Sequence, residues 1–517
     1  MRFAPYILSA LAMILSGLML YNGHNWGGDF SQYIAQTIAL VDNKVASQIA
    51  NNTYIVENSP LHNGLAPYIY PWGTSLLLSP IYKIFGFNLI AFKMLIVAIY
   101  GIFVFVFYRF CERFLEWRFC VIATMLFALN PLFLNFCNNI ISDVPFLLFS
   151  FLSVVFLAKL FDSASYRDIM RFALLGGIFT LFAYLTRTNG LVILMAFFIM
   201  QIMLIFGVDR RFAQIFSRAI FASPQSTNFA HIVAHIVPYV IFIIGVFCVN
   251  YALGSGGSGH IAILSQISPK TIAINLAFYS YVLSDFFALP NPFYALYSDF
   301  RYAYILPNPL NFALFILSIP LIWRGFKIHF AKKPKSTAFI TLFMIGFMAL
   351  LILWPARQGI RYAFGVIPFL VFFGVVGLAK CGNWARFATI ALLICFGVKD
   401  ISIIAKNITN DFSPANIAAE AYSDEAKDMY EFIKAHTPNN AKIIFFKPRV
   451  LHLNTNRLGF HATKLYDFKK ADFALELRWE WLETEMIQGF INELKAQNAL
   501  TTIYENKHFT LYAIDFK

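Results

Sequence analysis

The sequence predicts an all-α polytopic membrane domain of about 11 transmembrane helices, followed by a small C-terminal α/β domain. Three observations carry that prediction. The 517 residues are 59% hydrophobic and 18% aromatic but only 13% charged, which is far from the composition of a water-soluble domain. Eleven windows approach the roughly 20 apolar residues that a helix needs to cross a hydrocarbon core of about 30 Å. Hydropathy then falls abruptly near residue 401: residues 1–400 hold 26 Lys and Arg against 12 Asp and Glu, whereas residues 401–517 hold 14 and 15.

The windows lie at about 4–21, 89–108, 119–136, 144–161, 172–188, 190–207, 231–252, 306–323, 337–354, 362–380 and 386–401. The first has Arg2 ahead of an apolar run, like a signal peptide. No small-residue cleavage site precedes Asn22, so it is read as a retained anchor. The count is odd because 172–207 is split at Arg187-Thr188-Asn189-Gly190. The loops Arg109–Arg118, Asp162–Arg171, Val208–Ala230, Arg324–Ser336 and Cys381–Arg386 carry most of the Arg and Lys. They alternate with poorly charged loops, so they are assigned to the cytoplasmic side. The N-terminus is then inside. Loops 22–88 and 253–305, the Arg357–Arg361 turn and the tail 402–517 are outside a cell (inner or plasma) membrane. The net charge of +13 is explained by this asymmetry, and no nucleic-acid partner is expected.

Within loop 22–88, residues 31–42 suit a short helix with Tyr33, Ile34, Thr37 and Ile38 on one side. Residues 74–86 are apolar but short, and Pro71, Pro80 and Gly86 punctuate them. A re-entrant or interfacial helix fits better than a span. Loop 253–305 begins with the flexible Gly254-Ser255-Gly256-Gly257-Ser258-Gly259 and continues rich in Tyr and Pro, as in an ordered surface or lid. The tail reads as helices near 423–436 and 484–498 with strands at 442–447, 471–477, 500–505 and 509–514. The domains are thus 1–401 and 402–517. No inverted repeat relates the two halves, which weakens a transporter reading. The six cysteines lie in or beside apolar spans without metal-ligand spacing, so neither a disulfide framework nor a zinc site is expected.

Asp29, in Trp26-Gly27-Gly28-Asp29-Phe30-Ser31-Gln32-Tyr33, is an acid at the mouth of the first span, a costly place for one. One reading makes it a general base, its pKa raised toward a useful value by burial. The other makes it the N-cap of the helix that follows. Arg187, Arg357 and Arg361 lie at outer helix ends, where their planar forks suit phosphate oxygens. Snorkelling, or pairing with an acid such as Asp143, is the alternative. Asp143, two residues before Pro145, reads first as an ordinary helix cap and second as an acceptor or metal contact. His24, His62 and His260 are also external, although no spacing demands a metal. Tyr68-Ile69-Tyr70-Pro71-Trp72-Gly73 reads as an interfacial aromatic girdle or as a sugar or lipid platform.

The order of these motifs resembles a family. A retained first span is followed by Gly28-Asp29 with Tyr33 and Ala35. Then comes Tyr70-Pro71-Trp72-Gly73-Thr74-Ser75-Leu76-Leu77-Leu78-Ser79-Pro80, then Arg187-Thr188-Asn189-Gly190, then Arg361-Tyr362 with Pro368. Lys447-Pro448-Arg449-Val450-Leu451 follows in the tail and resembles a Lys-Pro-Arg strand-to-helix turn. This is similar to the GT-C membrane glycosyltransferases of the family 39 and protein-mannosyltransferase type. The resemblance covers most of the chain. It departs at Pro71-Trp72, where the family has two prolines, and at Asp29-Phe30, where many members have Asp-Glu.

The resemblance implies inverting sugar transfer from a polyprenyl-phosphate donor to a lipid, glycan or protein acceptor outside the membrane. Asp29 would be the catalytic acid, standing alone, and Arg361 would contact the donor phosphate, with Arg187 as a second candidate. No cofactor is required, because the leaving group is already an anionic phosphate; a divalent cation is compatible with such a site. Two other readings stay open. One is a polysaccharide polymerase or ligase on the same carriers. The other is a transporter or flippase for lipid-linked sugars, which the position of the acids at helix ends disfavours.

Overall fold

The computed structural model describes residues 2–59, 67–206, 229–254, 267–291, 308–355, 357, 359–408, 420–478 and 484–515. The chain begins with α1 (Ala4–Leu18). Three helices follow in the first loop: α2 (Gly28–Val41), α3 (Val45–Glu57) and α4 (Trp72–Phe85). The membrane domain continues with α5 (Leu89–Cys111), α6 (Trp117–Ala128), α7 (Pro131–Phe136), α8 (Asp143–Asp162), α9 (Tyr166–Thr186) and α10 (Leu191–Phe206). It is completed by α11 (Phe229–Leu253), α12 (Pro269–Val282), α13 (Pro309–Lys332), α14 (Pro334–Leu353), α15 (Ile367–Leu378) and α16 (Asn383–Ile408).

Among the described residues, seven helices are long and apolar enough to cross a membrane, namely α5, α8, α9, α11, α13, α14 and α16. Four shorter apolar helices, α1, α6, α10 and α15, fall on the remaining predicted windows. Local chemistry sets several starts. Asn88 accepts from the Ala91 N–H, Asn130 from Leu132 and Asn308 from Leu310. Pro131 and Pro309 occupy first-turn positions where a missing N–H costs nothing. Apolar side chains gain little by leaving lipid, so the bundle is held by packing. Much of that packing is aromatic: Phe107 lies 4.8 Å from Phe127 and Phe110 lies 4.7 Å from Phe372 between ring centroids.

The first loop is largely helical: α2 and α4 fall on the two helices expected at 31–42 and 74–86, while α3 carries no strong sequence signal. The 74–86 segment is a helix, α4, laid against α2. Ser75 donates to the Tyr33 carbonyl at 3.0 Å and Thr37 donates to the Ser75 carbonyl at 3.3 Å. The aromatic stretch ahead of α4 is no girdle. Trp72 is buried at 3% exposure, and Tyr70 faces Tyr33 at 5.0 Å. Two glycines allow close approaches beside it. A Cβ on Gly73 would meet the Leu185 carbonyl at 2.5 Å, and one on Gly190 would meet the Tyr184 nitrogen at 2.6 Å. Both contacts are with the last turn of α9, so these glycines let α4 and the turn ahead of α10 close onto the backbone just before Arg187.

In the tail, helices α17 (Asp424–His436), α18 (Pro448–Thr455) and α19 (Glu485–Ala496) flank a sheet. Its strands are β1 (Lys442–Ile444), β2 (Leu458–Phe460), β3 (Phe473–Leu477), β4 (Leu500–Glu505) and β5 (Phe509–Ile514). The order among the described residues is β2-β1-β3-β5-β4. The β1 pairings with β2 and β3 are parallel; those of β5 with β3 and β4 are antiparallel. β2 was not anticipated, because it is short; α18 begins at Pro448, where the Lys447-Pro448-Arg449 resemblance places a strand-to-helix turn. The domain's core does not stop at its own boundary. Trp26 packs on Phe446 at 5.1 Å and Phe445 at 5.6 Å, and Phe30 and Ile34 of α2 join the same cluster. The first loop and the tail therefore share one core, which holds α2 between the sheet domain and the bundle.

Candidate active site

Asp29 stands in the first turn of α2. The N-cap is Gly27, and no side chain caps that end, so the carboxylate is not spent on capping. The helix N-terminus favours its negative charge. Asp29, Tyr33 and Gln36 are four and three residues apart and share one helix face. All three hold Tyr70. The Tyr70 hydroxyl donates to Asp29 Oδ1 at 2.8 Å. Gln36 accepts from the Tyr70 N–H and donates to its carbonyl, each at 3.0 Å.

The second carboxylate oxygen faces arginine. Arg361 lies in a short 3-10 turn (Ile360–Ala363) ahead of α15. Its Nη1 and Nη2 both stand 3.4 Å from Asp29 Oδ2. The same Nη1 is 3.9 Å from Asp143 Oδ2. Asp143 Oδ1 in turn accepts from Arg187 Nη1. Arg187 occupies the extended break between α9 and α10, and its guanidinium lies 4.1 Å from the Tyr362 ring centroid. Asp143 does not cap α8; Ser142 holds the N-cap position, without a side-chain bond. It is instead a bridge between two arginines. Side-chain exposure rises along the chain of charges: 2% for Asp143, 12% for Arg187, 25% for Arg361 and 39% for Asp29. The open end is therefore Asp29.

The fifth charge comes from the tail. Arg449, in the first turn of α18, donates from Nη1 to the Tyr70 hydroxyl at 3.0 Å. It also donates from Nε to Asn52 Oδ1 at 2.8 Å and from Nη2 to the Pro67 carbonyl at 3.2 Å. Burial alone pushes the Asp29 carboxyl up. Arg361, the Tyr70 hydrogen bond, Arg449 and Arg187 pull it down, and they win: it sits below the usual carboxylate range. The expectation that burial raises Asp29 is thereby corrected, because opposite charges outweigh desolvation here. The sign follows. A depressed carboxyl contributes stability above its unfolded pKa and loses it as pH falls through the folded value.

The other expected site residues are placed elsewhere. His24 is buried with both ring nitrogens engaged. Nδ1 is 3.0 Å from the Asn25 carbonyl, and Nε2 accepts from the Ile140 N–H at 3.2 Å. Burial, then Lys93, pushes its pKa down to about 3. It is a neutral structural residue with no lone pair to offer a metal. Arg357 is exposed and outside the cluster. His62 and His260 lie outside the described residues. Among the described residues no three His, Cys, Asp or Glu side chains are grouped as metal ligands, and both Asp143 oxygens face arginine.

Three contributors were not singled out from the sequence. In the sequence Tyr70 reads as part of a girdle or platform, Arg449 stands only within a motif, and Lys93 lies inside a span. Its amine, fully buried in α5, donates to the Tyr21 and Gly23 carbonyls at 2.8 and 2.7 Å. Asn138 donates to the Met19 carbonyl at 2.8 Å. Together they pin the chain that leads from α1 to Asp29. A lysine inside a 23-residue apolar helix was the available signal, since such a charge needs a partner.

No family model and no curated protein matches this sequence. Solved structures do. ArnT from Cupriavidus metallidurans, in its apo state and bound to undecaprenyl phosphate, aligns with a TM-score of 0.56 in each case, at 10% and 11% identity, covering 98% of this chain and 97% of that one. The Archaeoglobus fulgidus oligosaccharyltransferase tethered to an acceptor peptide aligns with a TM-score of 0.55 at 11% identity, covering 100% of this chain and 74% of that one. Superposition at these TM-scores over nearly the whole chain shows shared architecture: the chain has the GT-C fold of these structures.

Proposed function

We propose that the protein is an integral-membrane glycosyltransferase that moves a sugar from a polyprenyl-phosphate donor to a lipid, glycan or protein acceptor on the extracytoplasmic face. The observation that carries this reading is Asp29, the most open acid of the cluster, held between the Arg361 guanidinium and the Tyr70 hydroxyl. The acceptor hydroxyl or amine gives its proton to Asp29 and attacks the anomeric carbon in line, with inversion. The bond from that carbon to the phosphate oxygen breaks, and polyprenyl phosphate leaves as an anion facing Arg361. Arg361 is shared between two carboxylates in the free protein, so an incoming phosphate takes it from Asp29. Withdrawal of that guanidinium removes the largest opposing charge and lets burial lift the Asp29 carboxyl. The base thus strengthens when donor binds. These steps need no metal.

The test is to incubate purified protein with a panel of polyprenyl-phosphate sugars and acceptors and to follow release of polyprenyl phosphate. Acceptor-dependent release from at least one donor is expected; its absence across donors that a known enzyme of this fold turns over rejects the reading. Arg361→Ala should weaken donor binding by about 10-fold to 150-fold, the equivalent of ~1.5–3 kcal/mol for a charge-assisted contact. Arg361→Lys should recover only part, because the fork is lost. Unchanged donor affinity in Arg361→Ala would reduce Arg361 to a partner of the two acids.

The sidedness rests on charge and geometry together. Asp29, Asp143, Arg187 and Arg361 follow the first, third, fifth and ninth predicted spans, and Arg449 follows the eleventh. Five side chains that meet in one cluster belong to one end of the bundle, and the Arg- and Lys-rich loops fall at the other end. A phosphatase reporter fused after Lys517 should therefore be active only when exported. Activity confined to the cytoplasm would invert the assignment.

A further inference from the structure

We infer that Arg449 is a positioning residue for Asp29, acting through the Tyr70 hydroxyl, so that the site is complete only when the C-terminal domain is docked. The inference rests on the glycosyltransferase reading for its consequence in catalysis, but its geometry stands alone. A phenol has one proton. Tyr70 spends it on Asp29 Oδ1 at 2.8 Å, and its oxygen accepts from Arg449 Nη1 at 3.0 Å. Every donor in this line points toward Asp29. The cation polarises the phenol and strengthens the bond the phenol makes.

Arg449 cannot swing freely. Asn52 of α3 and the Pro67 carbonyl take two further N–H groups, and Asn52 itself donates to the Pro67 and Tyr68 carbonyls. One guanidinium therefore ties α18, α3 and the strand of chain before α4 into a single clamp around Tyr70. The Tyr70 hydroxyl titrates far above its ordinary range, because burial and then Asp29 disfavour the phenolate. It holds its proton and orients the carboxylate; it does not relay the acceptor's proton. Without the clamp the carboxylate keeps Arg361 on one oxygen and loses the contact that fixes the other.

The groups that bear on Asp29 are Arg361, Tyr362, Arg187 and Asp143 from the bundle, Tyr33 from its own helix, and Tyr70 and Arg449. The variants below change only the last two. Tyr70→Phe removes one hydroxyl and leaves the docked core intact. Arg449→Ala removes the clamp, and Arg449→Lys keeps the charge without the fork.

Two readouts are compared. The first is an infrared pH titration of the Asp29 carboxylate, assigned by its loss in Asp29→Asn; it needs no substrate. The second is kcat for sugar transfer across pH. Tyr70→Phe and Arg449→Ala should each raise the Asp29 midpoint, and the acid limb of kcat should move up with it. Each should lower kcat by about 10-fold to 100-fold, the scale of a misplaced catalytic group. In kcat the double variant should be no worse than Tyr70→Phe alone, since Arg449 positions Asp29 through Tyr70; its midpoint should lie above that of Tyr70→Phe, because the Arg449 charge also acts on Asp29 directly. Arg449→Lys should stay defective in kcat. The inference is overturned if Arg449→Ala leaves the midpoint at the wild-type value, if the two losses add, or if Arg449→Lys behaves as wild type, which would make Arg449 a bystander charge. A titration that responds as described in a protein that transfers no sugar would keep the clamp and reject the function.

Discussion

Asp29→Asn should leave a folded, membrane-inserted protein that has lost sugar transfer by about 10²-fold to 10⁴-fold, the range contributed by a positioned general base. The amide keeps one oxygen for the Tyr70 hydroxyl, so the bond seen at 2.8 Å survives. Its nitrogen then faces Arg361, donor against donor. Arg361 retains Asp143 as counter-ion, so the fold tolerates the change. A capping role predicts little harm from Asn, which caps well, and α2 shows no side-chain cap to lose. The measurement is kcat for polyprenyl phosphate release by purified protein, alongside thermal unfolding in detergent. A stable Asp29→Asn protein with a normal rate would remove Asp29 from the mechanism.

Asp143→Asn should do more damage to the fold than Asp29→Asn. Read as a helix cap, Asp143 would be the mild control. The structure reverses that order. Asp143 is 2% exposed, and both its oxygens face guanidinium groups, those of Arg187 and Arg361. Removal of one partner from a buried pair leaves an uncompensated charge and costs about 3–5 kcal/mol. Arg361 has Asp29 to fall back on at 3.4 Å, whereas Arg187, 12% exposed, keeps among the described residues the faces of Tyr362 and Phe146 and a more distant attraction to Asp29. Unfolding in detergent should therefore fall well below wild type for Asp143→Asn and only slightly for Asp29→Asn. Equal stability of the two variants would show that the Arg187 charge is satisfied by other means.

The membrane helices were readable because their signal is one-dimensional. A helix in hydrocarbon satisfies its own backbone, so apolar length alone specifies it. α4 and α2 were readable as helices for similar reasons, and most of the tail's strands and both of its longer helices from their periodicity. α3 and β2 were not, and α18 was legible only through the Lys447-Pro448-Arg449 motif. α3 is polar and β2 is short, and such segments take their structure from what they pack against.

The candidate site divides the same way. Asp29, Asp143, Arg187 and Arg361 stood out because charge is scarce at the ends of apolar spans and expensive there. The sequence by itself thus determined the class of the protein, the course of its spans, and the acids and arginines available at one end. Only the tertiary structure decided who meets whom. It made Asp143 a bridge, withdrew His24 into a neutral, fully bonded position, and brought Arg449 onto Tyr70 across 379 residues. It also set the Asp29 carboxyl below its usual range where burial alone would have raised it. Burial of a side chain can be guessed from its neighbours in the chain. The opposing Coulomb attractions depend on distances of about 3–4 Å between residues hundreds of positions apart, and no local pattern encodes those.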